Sequence, residues 1–177
     1  MNDGSDITLV LGGARSGKTR RALSLTEQRC RDAGSVPVYV ATAQAFDDEM
    51  ADRIHNHQAE RGDHWRTVEA PLDLAGAISA NAGDRSVLLI DCLTLWLSNT
   101  LLAERDVDVA VQGLCTALRA AAGPVIVVSN EVGYGIVPEN ALARRFRDEQ
   151  GRLNQMVAGL AARVELVAAG LPLTLKG

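Results

Sequence analysis

Residues 12–19 read Gly12-Gly13-Ala14-Arg15-Ser16-Gly17-Lys18-Thr19, directly after the apolar run Ile7-Thr8-Leu9-Val10-Leu11. The pattern G-x-x-x-x-G-K-[ST] behind a short apolar strand dictates a strand, a tight loop and a helix whose first turn faces an anion. Glycine allows the backbone to approach the anion closely, at dihedral angles a side chain would forbid. Successive N–H groups then line a concave nest for phosphate oxygens. Lys18 is expected to reach the β- and γ-phosphates, and the Thr19 hydroxyl to sit on Mg²⁺. A glycine-rich turn without a ligand would not need every fixed position filled. The lysine usage points the same way: apart from Lys18 only Lys176 is lysine, and every other basic residue is arginine. Lysine is thus kept where a mobile point charge on phosphate is the common solution.

The 177 residues are enough for one domain, 1–177, with a sizeable core. Apolar residues make up 47% but aromatic ones only 3%, so the core must be built from Ala, Val, Leu and Ile, as in sheets covered by helices. A net charge of −4 argues against a nucleic-acid partner, since no basic field would draw in a polyanion. Arg144, Arg145, Arg147 and Arg152 cluster, but acids flank them; a solvated helix face, a bound phosphate or a neighbouring subunit suits them better than DNA. Cys30, Cys92 and Cys115 are scattered and odd in number, which reads as inert thiols in a reducing compartment. The polar, acidic N-terminus is not a signal peptide, and no apolar stretch has membrane-spanning length. The expected location is the cytoplasm.

Apolar runs at 7–11, 36–41, 87–90 and 124–129 have the length and β-branched content of buried parallel strands. Helical patterns are read at 20–33, 47–61, 72–80, 107–122 and 140–162, and a closing hairpin at 164–168 and 171–175 around Gly170. Alternating strand and helix mean an α/β fold of the P-loop NTPase type (RecA-like): a mostly parallel sheet flanked by helices, with a C-terminal β-hairpin. Ligands in such folds lie at the carboxyl ends of the strands. Val87-Leu88-Leu89-Ile90-Asp91 ends there in an acid, so Asp91 is read as the second Mg²⁺ or nucleotide-site residue, against the plain reading of an Asp that caps the next turn.

All three histidines, His55, His57 and His64, lie within ten residues. Two residues turn a helix by about 200°, so His55 and His57 cannot chelate one ion from a common helix. Met50, Ile54 and His57 share a helical face, with Arg53 and Arg61 beside it. A neutral imidazole there can act as a nucleophile on phosphorus. From spacing alone, an inert half-buried histidine is the plainer reading.

A longer series of motifs decides between them. After the phosphate loop come Tyr39-Val40-Ala41-Thr42-Ala43-Gln44, Asp47-Asp48-Glu49-Met50, Arg53-Ile54, His57, His64-Trp65-Arg66-Thr67 and Glu69. Then follow Asp91-Cys92-Leu93-Thr94, Ser129-Asn130-Glu131-Val132-Gly133, Gly135-Ile136-Val137-Pro138-Glu139-Asn140, Arg144, Phe146-Arg147-Asp148, Gly151 and Asn154-Gln155. In this order the chain resembles the bifunctional adenosylcobinamide kinase / adenosylcobinamide-phosphate guanylyltransferases of cobalamin biosynthesis. The resemblance implies phosphorylation of adenosylcobinamide by a nucleoside triphosphate (GTP or ATP). It then implies transfer of GMP from GTP, through a guanylyl-histidine, to adenosylcobinamide phosphate.

The family's guanylylated histidine matches His57. Its nucleotide contacts match Gly12, Gly13, Ala14, Arg15, Ser16, Gly17, Lys18, Thr19 and Arg20, then Ala43, Gln44 and Ala45, then Gln58, Ala59, Glu60 and Arg61, and finally Glu69 and Asp91. A homotrimer is implied as well. Arg53 or Arg61 is a candidate to stabilise charge on the transferring group. The 130–133 turn is a candidate for binding cobinamide or shaping a subunit contact, with a purely structural turn as the alternative. His55 has no clear role, His64 is read as a packing residue beside Trp65, and 93–102 as either an apolar subunit surface or an internal helix. A simple phosphate-loop kinase or a non-catalytic nucleotide switch are the competing functions; neither needs a histidine at 57.

Overall fold

The computed structural model describes residues 6–44 and 62–177. Expectations on residues 45–61, including the helix at 47–61 and the roles of Ala45, Arg53, His55, His57, Gln58, Ala59, Glu60 and Arg61, lie outside the described residues. In chain order the elements are β1 (Ile7–Gly12), α1 (Lys18–Ala33), β2 (Val36–Ala41), β3 (Arg66–Glu69), α2 (Leu74–Asn81), β4 (Ser86–Asp91), α3 (Leu93–Leu102), α4 (Val107–Ala120), β5 (Val125–Asn130), α5 (Ala141–Leu160), β6 (Arg163–Ala168) and β7 (Leu171–Lys176).

The strands form one sheet in the order β3-β2-β4-β5-β1-β6-β7. All neighbours are parallel except β6 and β7, which close the edge as the expected hairpin. The central strands are buried along most of their length, as near-continuous apolar runs must be when both faces are covered. Pleating sends alternate side chains to opposite faces. Leu9, Val40, Leu88, Ile90, Val125 and Val127 meet α2, α3, α4 and α5 in the larger apolar cluster. Val10, Tyr39, Val87, Leu89, Ile126 and Val128 meet Ala22 and Cys30 of α1 on the other face.

Capping sets the helix ends. Asp73, Asp106 and Asn140 each accept a hydrogen bond from a first-turn N–H of α2, α4 and α5. These helices start and stop within two residues of expectation. One element was not assigned from the sequence, and a second was left open between two readings. The edge strand β3 is only four residues, with Arg66 and Glu69 exposed, so it carries no apolar run. Residues 93–102 form an internal helix rather than an apolar subunit surface: Leu93, Trp96, Leu97 and Thr100 are buried at helical spacing. No described helix is long and apolar enough to cross a membrane.

Candidate functional site

The phosphate loop takes the predicted form. Buried β1 ends at Gly12, the chain turns through Arg15 (φ 55°) and Gly17 (φ 94°), and α1 begins at Lys18. Unlike α2, α4 and α5, α1 has glycine as its cap residue and no side chain bonded to its first turn. Its free N–H groups are therefore open to an anion. Two glycines are set by crowding. A Cβ on Gly12 would collide with Ser16 Oγ and lie 2.7 Å from the Val167 carbonyl. One on Gly17 would come within 3.2 Å of Gly170 Cα, besides the strain of its positive φ.

The hairpin turn supplies that neighbour. Gly170 N–H donates to the Ser16 carbonyl at 2.8 Å, so the β6–β7 turn braces the loop from the side. Glu131 N–H bonds the Gly12 carbonyl at 3.1 Å from the other side. Below the loop, Arg21 of α1 makes two 2.8 Å hydrogen bonds to the buried Glu165 of β6.

Lys18 Nζ donates to the Gly13 carbonyl at 3.0 Å, folded back over its own loop. Burial lowers its pKa, while the nearby Cys92 and Asp91 oppose that shift. Asp91 ends β4 on the α1 face, in alternation with Val87 and Leu89. Its Oδ2 accepts the Tyr39 hydroxyl at 3.0 Å. Tyr39 and Ala41 occupy the same face of β2, and Glu69, paired with Ala41, ends β3 on it as well. Ala43 and Gln44 follow β2 at this edge. Glu69 is four strands from β1, about 19 Å at normal strand spacing. Gly12 through Thr19 and Asp91 therefore form one cluster, and Glu69 lies at the far end of the same edge. Arg20, exposed on the first turn of α1, makes no hydrogen bond or ion pair among the described residues.

The residues present suit Mg²⁺ bound together with phosphate. Among the described residues, Asp91 keeps one carboxylate oxygen free of protein bonds, and the half-buried Thr19 hydroxyl has no protein partner. Nor do three His, Cys, Asp or Glu side chains gather, among those residues, into a self-sufficient metal site. A cation that takes part of its shell from phosphate and water does not need one.

The expected packing of His64 beside Trp65 holds, with ring centroids 6.3 Å apart. Both rings also bond Glu27 of α1, at 2.8 and 2.7 Å. In the arginine cluster, Arg144 donates to the Pro138 and Glu139 carbonyls, while Arg147 and Arg152 pair with Asp148 and Glu149. All three thiols are buried and free. Burial pushes Cys30 and Cys92 up to about 11, as inert thiols require.

Sequence reasoning missed the brace from Gly170, the Tyr39–Asp91 bond and a polar cluster beside the loop. Buried Ser129 Oγ and Gln150 Nε2 both donate to Asn154 Oδ1, and Gln150 Nε2 also reaches Ser129 Oγ. Tyr39 and Asn154 stood in the motif series, but nothing local to either says what it touches.

Comparison with known proteins places this geometry. Residues 8–175 match the family described as cobinamide kinase / cobinamide phosphate guanyltransferase. The chain is 47% identical to the bifunctional adenosylcobalamin biosynthesis protein CobP of Pseudomonas aeruginosa, over 96% of both chains. It is 42% identical to the bifunctional adenosylcobalamin biosynthesis protein CobU of Salmonella typhimurium, over 95% of this chain and 98% of that one. Among solved structures, an ATPase domain superposes with a TM-score of 0.53 at 15% identity, over 92% of this chain and 69% of that chain, a likeness of fold alone.

Proposed function

Because the chain belongs to the cobinamide kinase / cobinamide phosphate guanyltransferase family, we propose that one phosphate loop serves both of its reactions and that His57 carries the guanylyl group. The enzyme phosphorylates cobinamide and transfers a guanylyl group to cobinamide phosphate. The finer reading is that the substrates are adenosylcobinamide and its phosphate, with GTP as guanylyl donor and GTP or ATP as phosphoryl donor.

The observation that supports a shared site is the uncapped first turn of α1, with Lys18 beside it and Asp91 on the same sheet face. Phosphoryl transfer asks for positioning and charge neutralisation more than for covalent machinery. Lys18 leaves the Gly13 carbonyl for the phosphates, and the loop amides hold their oxygens. Thr19 and Asp91 would hold Mg²⁺, which when bound neutralises phosphate charge. In the kinase reaction the substrate hydroxyl oxygen bonds to the γ-phosphorus as the bond to the bridging oxygen breaks; the nucleoside diphosphate leaves with that electron pair, and the hydroxyl proton is released.

In guanylyl transfer an imidazole nitrogen of His57 bonds to the α-phosphorus of GTP, and the bond to the β-phosphate oxygen breaks. Pyrophosphate leaves, held by the same loop. A phosphate oxygen of the cobinamide phosphate then takes the GMP, breaking the P–N bond and giving adenosylcobinamide-GDP. Arg20, Ala43, Gln44, Glu69 and the 58–61 segment are proposed to hold the nucleotide at the same edge. A trimer in the cytoplasm completes the reading. Exposed apolar side chains such as Tyr134, Ile136 and Val137 favour association, because a subunit contact would remove them from water.

Intact-protein mass after incubation with GTP and Mg²⁺ tests the covalent step. A single acid-labile GMP adduct, absent from His57→Ala, is the expected result. A wild-type protein that binds nucleotide yet gains no mass would leave a phosphate-loop kinase with an inert His57.

A further inference from the structure

We propose that Asn130 is a catalytic residue of the phosphoryl-transfer reaction, its side-chain amide donating to the γ-phosphoryl group in flight. The inference rests on the functional reading above.

Four buried side-chain polar atoms lack a hydrogen-bond partner among the described residues: Ser16 Oγ, Arg29 Nη1, Asn130 Oδ1 and Gln150 Oε1. Such atoms are uncommon in folded proteins, and each calls for an explanation. Arg29 has one in its ion pair with Asp6. Of the other three, Ser16 Oγ and Asn130 Oδ1 lie at the carboxyl end of the sheet on its α1 face, whereas Gln150 Oε1 lies on the α5 face. Asn130 is the register partner of Gly12, whose Cα lies beneath Ser16 Oγ. Gln150 bonds Ser129, the residue before Asn130.

The backbone of Asn130 is held on both sides. Its N–H donates to Thr94 Oγ1 at 2.8 Å, and its carbonyl accepts from Asn154 Nδ2 at 3.0 Å. The next residue, Glu131, is tied to Gly12. The Asn130 side chain, by contrast, makes no hydrogen bond to any described residue. The fold therefore fixes where this amide sits and takes nothing from it in return.

Pleating fixes which way it faces. Ile126 and Val128 pack toward α1, so Asn130 continues that face, the one bearing Asp91 and the start of α1. The strand order places β5 between β1, which carries the phosphate loop, and β4, which carries Asp91. A γ-phosphate held by Lys18 and facing Asp91 lies over the end of β5. There the accessible amide nitrogen can donate to an equatorial oxygen. As the acceptor oxygen bonds to phosphorus and the bond to the nucleoside diphosphate breaks, charge spreads onto those oxygens, and a fixed donor is worth most at that moment. No proton is transferred by Asn130. In guanylyl transfer the bond that breaks lies at the α-phosphorus, so the same donor contributes little.

The test is Asn130→Leu, which is close in shape and has neither a donor nor a charge, with Asn130→Ala as a second variant should the first fail to fold. Cobinamide phosphorylation and GMP labelling of the protein are measured separately, with a thermal midpoint for each variant. The expected result is a kinase kcat about 100-fold lower, the size of effect of one lost transition-state donor, with nucleotide KM changed less than about threefold and GMP labelling reduced less than about tenfold. Kinase activity within about threefold of the parent in a folded variant overturns the assignment. So do parallel losses in both reactions that track a lowered midpoint, since they mark a structural role. Absence of both reactions from the unsubstituted enzyme would instead overturn the functional reading, and this inference with it.

Discussion

The two faces of the sheet are built on different terms. One is covered by α2, α3, α4 and α5 and is mainly Leu, Val, Ile and Ala, with Trp96 as its largest fully buried side chain and with buried polar groups (Asn99, Ser129, Gln150 and Asn154) that are all uncharged. The other, covered among the described residues by α1, mixes a smaller apolar cluster with polar contacts. These are Arg29 to Thr8, Arg21 to Glu165, and Tyr39 to Asp91. The first face can exchange one aliphatic residue for another of similar volume and keep its shape. The second tolerates less, because Arg21, Arg29, Glu165 and Asp91 there are each placed against a specific polar partner. Stability and chemistry are thus divided between the faces of one sheet.

The sharpest way to break that division is Lys18→Ala. Its expected effect is an about 10³-fold loss of rate in both reactions with folding stability within about 1 kcal/mol of the parent. Activity assays beside chemical denaturation read both, and a matching loss of stability would erase the contrast. The opposite experiment is Leu88→Ala, at a wholly buried position on the apolar face. Denaturation should show a loss of about 3 kcal/mol, while activity per folded molecule stays at the parent level.

Glu165→Gln sharpens the picture further, because it removes a charge on the α1 face that serves structure alone. Arg21, and after it Arg163, hold the Glu165 carboxyl below its usual range. A depressed folded pKa stabilises above the unfolded value and is lost as pH falls through the folded one. The variant should lose about 2 kcal/mol at neutral pH, and its gap from the parent in thermal midpoint should close below about pH 4. A gap constant down to about pH 2 would show that the carboxylate charge is not what stabilises.

What the sequence made legible follows the range over which each signal acts. The phosphate loop, the apolar strands, the hairpin and the end of β4 at Asp91 are written in consecutive residues, and all appear where expected. Strand β3 was not legible, because a short edge strand with exposed Arg66 and Glu69 has no pattern of its own and exists only through pairing with β2. Residues 93–102 read equally as surface or interior, since an apolar helix does not say what covers it. Asn130, Gln150 and Asn154 were visible as residues but not as a cluster, for β5 and α5 meet only in the folded chain.

The brace on the phosphate loop has a consequence for how the molecule is made. Strand β1, which opens the loop, pairs with β5 and β6, both more than a hundred residues downstream. The loop itself receives the N–H of Gly170. On a ribosome, the motif that most defines this protein emerges early and then has no partners through most of synthesis. The second of its two braces arrives only with the hairpin, so a chain halted before β6 carries the full signature of the enzyme with one wall of its loop still missing.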